Sequence, residues 1–351
     1  MEEKPIFFEC IDEILGPKED RFFGRGFGKV IHNISDINIK SNFLGEYITV
    51  NDMKVKVDSN IKGYVQAKGT LAYPNDWSQK SEDVELKPHL SSIDALILSV
   101  QLNEMYLIHR YNLDDTERRK MWLRRCTITA ANCPQENLSS FDMYTLHIET
   151  KELSELLCSN ISIFESHIGA LTVRSEIEHP SKDICTENIH FNRSIDILGD
   201  PSKRYYGNAY KFSDHTINKV KINTKDETVE SLINIKQTNN KTLKSDGIEA
   251  VYRPSISMID SIILSGQIAQ AFLYSLDDVS RAESNTLWMR TVTIESTTPY
   301  QPCDSFISLT RVLKNRLLNI KGKYWRTANM VGEFRGIKIN YSVAHELPIT
   351  V

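Results

Sequence analysis

Two carboxylates stand at matching positions near the start of two long apolar segments. Asp94 lies in PHLSSIDALILSVQLNEMYL, which begins at residue 88, and Asp260 lies in PSISMIDSIILSGQIAQAFL, which begins at residue 254. Nine of the twenty aligned positions are identical, and we call the shift from residue 88 to residue 254 the helix offset. A carboxyl group held against apolar walls can have a raised pKa and act as a general acid or base. We take Asp94 and Asp260 as candidate catalytic residues.

A structural role would explain the same two acids. Ser91 precedes Asp94 by three residues and Ser257 precedes Asp260 by three, which is the spacing of a helix N-terminal capping box. The helix dipole and the free amides of the first turn favour an ionised carboxylate there and oppose a raised pKa. The sequence leaves capping and catalysis open for both acids.

Each acid is followed by a glutamine seven residues later, Gln101 in the first segment and Gln267 in the second. Seven residues are two helical turns, so the acid and the amide would share one side of a helix. Because that side is otherwise apolar, we take Gln101 and Gln267 as candidate substrate-binding residues.

His89 distinguishes the two segments. It stands five residues before Asp94, whereas the matching residue of the second segment is Ser255. A single active site in a pair of related segments would produce such a difference, and we therefore add His89 to the candidate catalytic residues. A polar loop residue before a helix is the plainer interpretation. For His32, in an extended segment, we expect a surface or core role.

Aromatic and basic residues near these segments supply further candidates for substrate binding. Tyr73 and Trp77 are amphipathic, and either core packing or contact with an acyl chain or sugar would use them. Arg124 and Arg290 follow matching tryptophans that are related by the helix offset. Arg124 also belongs to a basic cluster between residues 118 and 125, for which the alternatives are a solvated face and a docking site for an acidic carrier protein or the phosphate of a pantetheine arm.

Composition excludes several classes of protein. The chain has 351 residues, is 40% hydrophobic and 25% charged, and carries a formal charge of −4, so bulk charge gives no case for nucleic acid or a membrane surface. We find no apolar run of the roughly 18 residues that a membrane helix needs and no signal peptide. The six cysteines form no CxxC pair and predict free thiols in a reducing cytoplasm. No histidine or cysteine spacing predicts a metal site, and we expect no cofactor.

The repeated segments are part of a longer internal similarity. Trp122-Leu123-Arg124 matches Trp288-Met289-Arg290 at the helix offset. Arg21-Phe22-Phe23-Gly24 matches Arg204-Tyr205-Tyr206-Gly207 at a larger shift, which we call the turn offset. We therefore predict two related domains, 1–185 and 186–351, joined through the polar stretch 178–194.

Extended segments rich in Val, Ile, Tyr and Phe flank each apolar helix, with a hairpin turn at Asn51-Asp52. A helix that is apolar on nearly every face must be wrapped, and a curved antiparallel sheet can wrap it. The predicted fold is α+β, a double hotdog in which two antiparallel sheets each surround a long central helix.

Three motifs in order carry a family resemblance over most of the chain. RFFGRGF begins at residue 21, YPNDWSQK at residue 73 and LKPHLSSIDALILSVQLNE at residue 86. Together they resemble the avirulence protein D family. The resemblance implies synthesis of syringolide-type acyl glycosides from a β-ketoacyl thioester and a pentulose such as xylulose. The helix start also resembles that of the dehydratase domains of polyketide synthases, where the position of Asp260 holds a catalytic aspartate.

One departure from the dehydratase pattern bears on the reaction. VQAKGTLAYP keeps Gly69 and Pro74 of the dehydratase histidine motif, but Val65 occupies the position of the histidine. The resemblance therefore argues against dehydration, which needs that histidine.

We expect an enzyme that condenses a β-ketoacyl thioester, carried by an acyl carrier protein or CoA, with a pentulose hydroxyl, followed by cyclisation. It would act in the cytoplasm as a monomer or homodimer, without a nucleic acid or membrane partner. A hotdog thioesterase or (de)hydratase and a non-catalytic acyl-binding protein are the alternatives.

Overall fold

The computed structural model describes residues 4–50, 53–58, 60–80, 86–154, 157–237 and 245–348. The hairpin turn predicted at Asn51-Asp52 lies outside these residues. The strands are β1 (Ile6–Cys10), β2 (Ile31–Lys40), β3 (Tyr47–Val50), β4 (Met53–Lys56), β5 (Gly63–Ala72), β6 (Trp122–Thr129), β7 (Phe141–Glu152), β8 (Asn160–Ile168), β9 (Leu171–His179), β10 (Asn188–Arg193), β11 (Ser213–Asn223), β12 (Thr228–Gln237), β13 (Trp288–Ser296), β14 (Phe306–Ile320), β15 (Lys323–Phe334) and β16 (Ile337–Glu346).

The two apolar segments form the long helices α2 (Ser92–Arg110) and α5 (Met258–Asp277). Every residue from Ile93 to Leu107 is buried, as the uniformly apolar pattern predicts. Three short helices are α1 (Asp12–Leu15), α3 (Asp115–Arg118) and α4 (Ile195–Leu198).

Fourteen of the described strands form one antiparallel sheet, in the order β1-β11-β12-β14-β15-β16-β13-β6-β9-β8-β7-β5-β2-β10, while β3 and β4 form a separate hairpin. This differs from the two separate sheets that we predicted. The halves join because β6 pairs with β13, with Thr127 opposite Thr293. An edge that two separate sheets would leave unpaired is thereby satisfied by the matching strand of the other half.

Each long helix packs on the strands of its own half. Helix α2 contacts β2 and β5 to β9, and α5 contacts β11, β13, β15 and β16. Most strands present alternating buried residues to these helices, as in β11, where every second residue of Ser213–Ile217 is buried. The helix starts, and the acids near them, are therefore fixed against the sheet.

The first segment of each half is exchanged with the other half. Strand β1 pairs with β11, and β10 pairs with β2. Helix α1 packs on α5, and α4 packs on α2. The stretch 178–194, which we predicted as an irregular connection, therefore contains a strand. Strand β10 lies at the sheet edge, its side chains are mostly exposed, and its only apolar residues are Ile189 and Phe191, too few to predict a strand from the sequence.

All six cysteines lie within the described residues, and each is a free thiol. No helix in this part of the chain is long and apolar enough to cross a membrane.

Candidate active site

The first cluster surrounds Asp94 at the start of α2. Ser91 is the N-cap: its hydroxyl accepts from the Asp94 amide at 3.2 Å, and its own amide donates to Asp94 Oδ2 at 2.9 Å. The Ser91 hydroxyl lies 2.6 Å from the same carboxylate oxygen. The Tyr73 hydroxyl also donates to Oδ2. His32 Nε2 lies 2.7 Å from Oδ1, so both carboxylate oxygens are occupied.

These hydrogen bonds decide the charge of the carboxylate. Burial alone would raise the pKa of Asp94, but the hydrogen bond and charge of His32, with the hydrogen bonds from Ser91 and Tyr73, outweigh it and lower that pKa. Burial, followed by the Asp94 charge, raises the pKa of Tyr73 well above its ordinary value. Asp94 is therefore an anion that accepts hydrogen bonds, and Tyr73 keeps its proton.

The second cluster repeats this arrangement around Asp260. His215 Nε2 lies 2.7 Å from Asp260 Oδ1, and the Ser257 amide donates to Oδ2 at 2.7 Å. Burial would raise the pKa of Asp260, but the hydrogen bonds and charge of His215 and the bonds from Ser257 lower it. The tyrosine of the second cluster is Tyr205, which lies in the turn before β11, whereas Tyr73 of the first cluster follows β5. The Tyr205 hydroxyl donates to Asp260 Oδ2 at 3.3 Å.

A cavity of about 580 Å³ borders the first cluster. Tyr73 and Ser91 line it and are partly exposed, so two of the residues that contact Asp94 border the cavity although Asp94 itself is only 1% exposed. Most of the lining is apolar or aromatic, which is typical of small-molecule sites of this size. The lining includes Phe22, Trp77, Leu90, Leu171, Leu287, Trp288, Met289 and Trp325.

The second cluster does not line this cavity. Tyr205 is 2% exposed, and the guanidinium of Arg253 lies 3.3 Å from the centre of its ring. Ser255, at the position that matches His89, is 2% exposed and accepts from the Gln301 amide at 2.8 Å. The loop at Gln301 and the side chain of Arg253 therefore cover the start of α5.

His89 lies in the cavity wall between two tryptophans. Its ring centre is 6.4 Å from that of Trp77 and 4.7 Å from that of Trp288. His89 Nδ1 lies 3.2 Å from the carbonyl oxygen of Lys87. A carbonyl only accepts, so Nδ1 carries the proton in this hydrogen bond and leaves the lone pair on Nε2. Such a histidine can accept a proton from a bound hydroxyl.

The structure divides the predicted substrate-binding residues into two groups. Tyr73, Trp77 and Arg290 line the cavity with His89. Gln101 is buried elsewhere, and its Oε1 accepts from Arg204 Nη1 at 3.3 Å. The other glutamine, Gln267, lies 3.4 Å from the Ile263 carbonyl of its own helix and does not line the cavity. Their side of each helix faces the protein interior.

Three arginines of the basic cluster proposed for carrier docking are paired with acids of the same chain. Arg118 is buried and pairs with Glu104 at 3.1 Å. Arg124 pairs with Glu178 at 2.6 Å, lies over the Trp122 ring and does not line the cavity. Arg125 pairs with Glu295 at 3.2 Å. The run of positive residues in the sequence did not reveal these acidic partners, because they come from distant elements.

His32 and His215 are the site residues that sequence reasoning missed. Our expectation of a plain surface or core role for His32 overlooked its bond to Asp94. A signal was present, because the turn offset, which takes Arg21 to Arg204, also takes His32 to His215. A histidine that is repeated in both halves, as the acid is, indicates that the two residues form a pair.

Comparison with known protein families gives a match over residues 6–348 to the family described as Pseudomonas avirulence D protein, AvrD. The chain belongs to the AvrD family. A comparison with curated proteins gave no match.

Solved structures similar to this AvrD-family protein include a tesB protein of Mycobacterium avium subspecies paratuberculosis, with 6% identity, 81% of this chain and 92% of that chain covered, and a TM-score of 0.37. An acyl-CoA thioesterase II from Mycobacterium marinum has 6% identity, coverages of 66% and 83%, and a TM-score of 0.30. A variant of the PpsC dehydratase domain from Mycobacterium tuberculosis has 6% identity, coverages of 88% and 99%, and a TM-score of 0.32. Scores this low carry no conclusion about activity.

Proposed function

We propose that this AvrD-family protein transfers a β-ketoacyl group from a carrier thioester to a hydroxyl of a pentulose, with cyclisation of the ester afterwards. The observation that carries the proposal is the asymmetry of the two clusters. Two sets of serine, aspartate, histidine and tyrosine make nearly the same hydrogen bonds, and one of them borders a cavity that also holds His89. Membership of the AvrD family supports the substrate class.

We also infer that the two halves are repeated copies in a double hotdog. Equivalent backbone bonds support this interpretation: Leu90 donates to Gln135 at 2.9 Å, and Ile256 donates to Gln301 at 2.9 Å. The helix offset relates both the donors and the acceptors of these two bonds. The copies would share one sheet through β6 and β13. The domain bounds 1–185 and 186–351 remain a prediction. With these bounds, the first strand of each domain pairs with a strand of the other domain.

His89 is the group we assign to proton transfer. The acceptor hydroxyl gives its proton to His89 Nε2 while its oxygen attacks the thioester carbonyl carbon. The carbon–sulfur bond then breaks, and the carrier thiolate takes the proton back from His89. The balance is one thioester and one alcohol in, and one ester and one thiol out.

The start of α2 supplies the surroundings of the reacting carbonyl. The Ser92 amide lies in the first helical turn, where amides have no intrahelical acceptor, and Ser92 lines the cavity. We assign it to the developing oxyanion. Asp94 acts as a positioning residue, because its carboxylate holds Tyr73 and Ser91 and is itself buried.

The carrier in this proposal is an acyl carrier protein or CoA, and the protein acts in the cytoplasm as a monomer or homodimer. Incubation of the purified protein with a β-ketoacyl carrier, with and without xylulose, tests the reaction when the products are identified by mass spectrometry. We expect an ester that forms only with the pentulose. His89→Gln should lower the rate by about 100-fold, the lower range of a general base's contribution.

Three results would contradict the proposal. Release of free β-keto acid at the same rate without xylulose would indicate a thioesterase. Bound acyl ligand with no turnover would indicate an acyl-binding protein. Full activity of a folded His89→Gln protein would remove the assigned base.

A further inference from the structure

Three cations line the part of the cavity that lies against α5. Arg21 comes from the turn before β2, Lys80 from the segment before α2, and Arg281 follows the end of α5. None of the described residues that line the cavity is Asp or Glu. Arg290 adds a fourth positive charge elsewhere in the lining. A cavity with these positive groups and no carboxylate among its described residues attracts an anion.

Arg21 is the most informative of the three. It is only 3% exposed, and its Nη2 donates to Asp12 Oδ1 at 2.5 Å. Its Nε and Nη1 are buried and have no hydrogen-bond partner among the described residues. The main chain holds it in place, because the amides of Gly24, Arg25 and Gly26 all donate to the Arg21 carbonyl. Buried donors that lack an acceptor are costly, so a fixed arginine of this kind indicates a missing partner.

The other half of the chain contains an equivalent arginine, Arg204, and there a protein carboxylate supplies the negative charge; we call this group of residues the filled cluster. Arg204, which the turn offset relates to Arg21, is buried against α2, where its Nη1 donates to Gln101 at 3.3 Å. Its Nε, like that of Arg21, has no partner among the described residues, so the two arginines differ at Nη1. Glu104 supplies the nearby negative charge, and it also pairs with Arg118 at 3.1 Å. The main-chain amide of Ile248 also donates to Glu104, at 3.1 Å.

At the matching positions on the cavity side, no acid balances the charge of Arg21. The helix offset places Gln270 at the position of Glu104, Ser284 at that of Arg118, and Arg281 at that of Asp115. Asp115 also pairs with Arg118, at 3.1 Å, so both acids that contact Arg118 are replaced, Glu104 by a neutral amide and Asp115 by a cation. Arg21 and Gln270 line the cavity where Arg204 and Glu104 are packed inside the protein.

The three cations also lie close enough to influence one another. Burial lowers the pKa of Arg281, and the positive charge of Arg21 lowers it further. Burial, with the charge of Arg281, lowers the pKa of Lys80 to about 8. Lys80 keeps three oxygen contacts, to the Ser284 carbonyl and hydroxyl and to the Asn285 carbonyl, which hold it beside Arg281.

We propose that Arg21, Lys80 and Arg281 form a binding site for a phosphoryl group, which takes the place that Glu104 fills in the other half. A phosphoryl dianion supplies acceptors for the free Arg21 donors and neutralises the group of three cations better than a single carboxylate. The inference rests on the proposed function only in naming the source of the phosphoryl group. That source is either a phosphorylated pentulose or the phosphates of the pantetheine carrier.

Calorimetric titration of the full-length protein in the absence of an acyl donor tests binding apart from turnover. The probes are inorganic phosphate, xylulose against xylulose 5-phosphate, and coenzyme A against pantetheine. We expect the phosphorylated member of one pair to bind at least about tenfold more tightly than its unphosphorylated partner. The pair that shows the difference identifies the source.

Two substitutions locate the site. Gln270→Glu restores the carboxylate of the filled cluster, and we expect it to weaken phosphoryl binding by roughly tenfold to hundredfold while raising the melting temperature, since it pairs with Arg21. Arg21→Gln should weaken binding to a similar degree. Arg193→Gln, an equal change of charge at an exposed arginine of β10, is the control.

If Gln270→Glu loses phosphoryl binding but keeps its stability, the loss cannot come from unfolding. This variant therefore tests the location of the site even when Arg21→Gln folds poorly. Equal affinity for the phosphorylated and unphosphorylated probes of both pairs would overturn the proposal. Phosphoryl binding that is unchanged in Gln270→Glu would overturn it as well. Tight phosphoryl binding without ester formation would support this site and contradict the acyl transfer.

Discussion

At the scale of single residues, Asp94 combines the two roles that the sequence left open. It forms the capping box with Ser91, and it also binds His32 and Tyr73. The capping part was predictable because it depends on residues three apart. The contacts with His32 and Tyr73 depend on β2 and on the residue that follows β5. The repeat of His32 as His215 indicated the first contact, but no local pattern indicated the second.

The lowered pKa values of two other histidines, His147 and His179, lead to a prediction of how the stability of the protein depends on pH. Burial lowers the pKa of His147 to about 3 and that of His179 to about 4, with the charge of His179 contributing at His147. An unfolded histidine has a pKa near 6.5, so below that pH the unfolded chain binds more protons than the folded one. Stability should therefore fall as the pH drops from about 6.5 to 4.5, by about 1.4 kcal/mol per pH unit for each histidine.

Urea denaturation across this range measures the effect. His147→Gln should reduce the slope of the unfolding free energy against pH by about one proton. His190→Gln, at an exposed position, serves as the control. An unchanged slope in His147→Gln would show that His147 titrates alike in the folded and unfolded states.

At the scale of elements, the long helices were predictable and the exchanged strands were not. Helices α2 and α5 follow from apolar patterns and capping serines within one stretch of sequence. Strand β10 has exposed residues on both faces, and the alternation in its sequence is limited to two apolar residues, Ile189 and Phe191. Its place beside β2 depends on a partner in a distant part of the sequence, which no local pattern specifies.

The glycine-containing turn that precedes β2 supports the cavity. A Cβ atom at Gly26 would overlap the Trp77 carbonyl oxygen, whereas one at Gly28 would have its nearest atom, the Lys211 carbonyl oxygen, at 3.5 Å. Gly26→Ala should therefore displace the main chain at Trp77, cost about 2 kcal/mol or more of stability, and lower the transfer rate.

Gly28→Ala is the matched control, and we expect it to change the unfolding free energy by less than about 0.5 kcal/mol. Denaturation of both variants measures the difference. Equal stability of the two proteins would mean that the turn does not depend on close approach at Gly26.

At the scale of the whole molecule, similarity between the halves was visible in the sequence, but the position of the cavity was not. Substitutions such as Gln270 for Glu104 can be found by aligning the halves. Their meaning appears only when the exchanged segments bring Arg21 to α5 and Arg204 to α2. The cavity therefore depends on long-range packing, which local spacing does not determine.

Asp94 and Asp260 have matching surroundings, so a substitution of Asp260 serves as the control for the same substitution of Asp94. Asp94→Asn and Asp260→Asn each remove the charge from a buried carboxylate bound to a serine, a histidine and a tyrosine. Because the hydrogen bonds are so similar, we expect similar losses of stability, of about 1–3 kcal/mol.

The decisive measurement is the rate of ester formation from a β-ketoacyl carrier and a pentulose, compared between these two variants at a temperature where both are folded. We predict a fall of about tenfold or more in Asp94→Asn, because Tyr73 and Ser91 lose their anchor at the cavity, and a change within about twofold in Asp260→Asn. Equal rates in the two variants, or a greater loss in Asp260→Asn, would contradict the assignment of the reaction to the cavity beside α2.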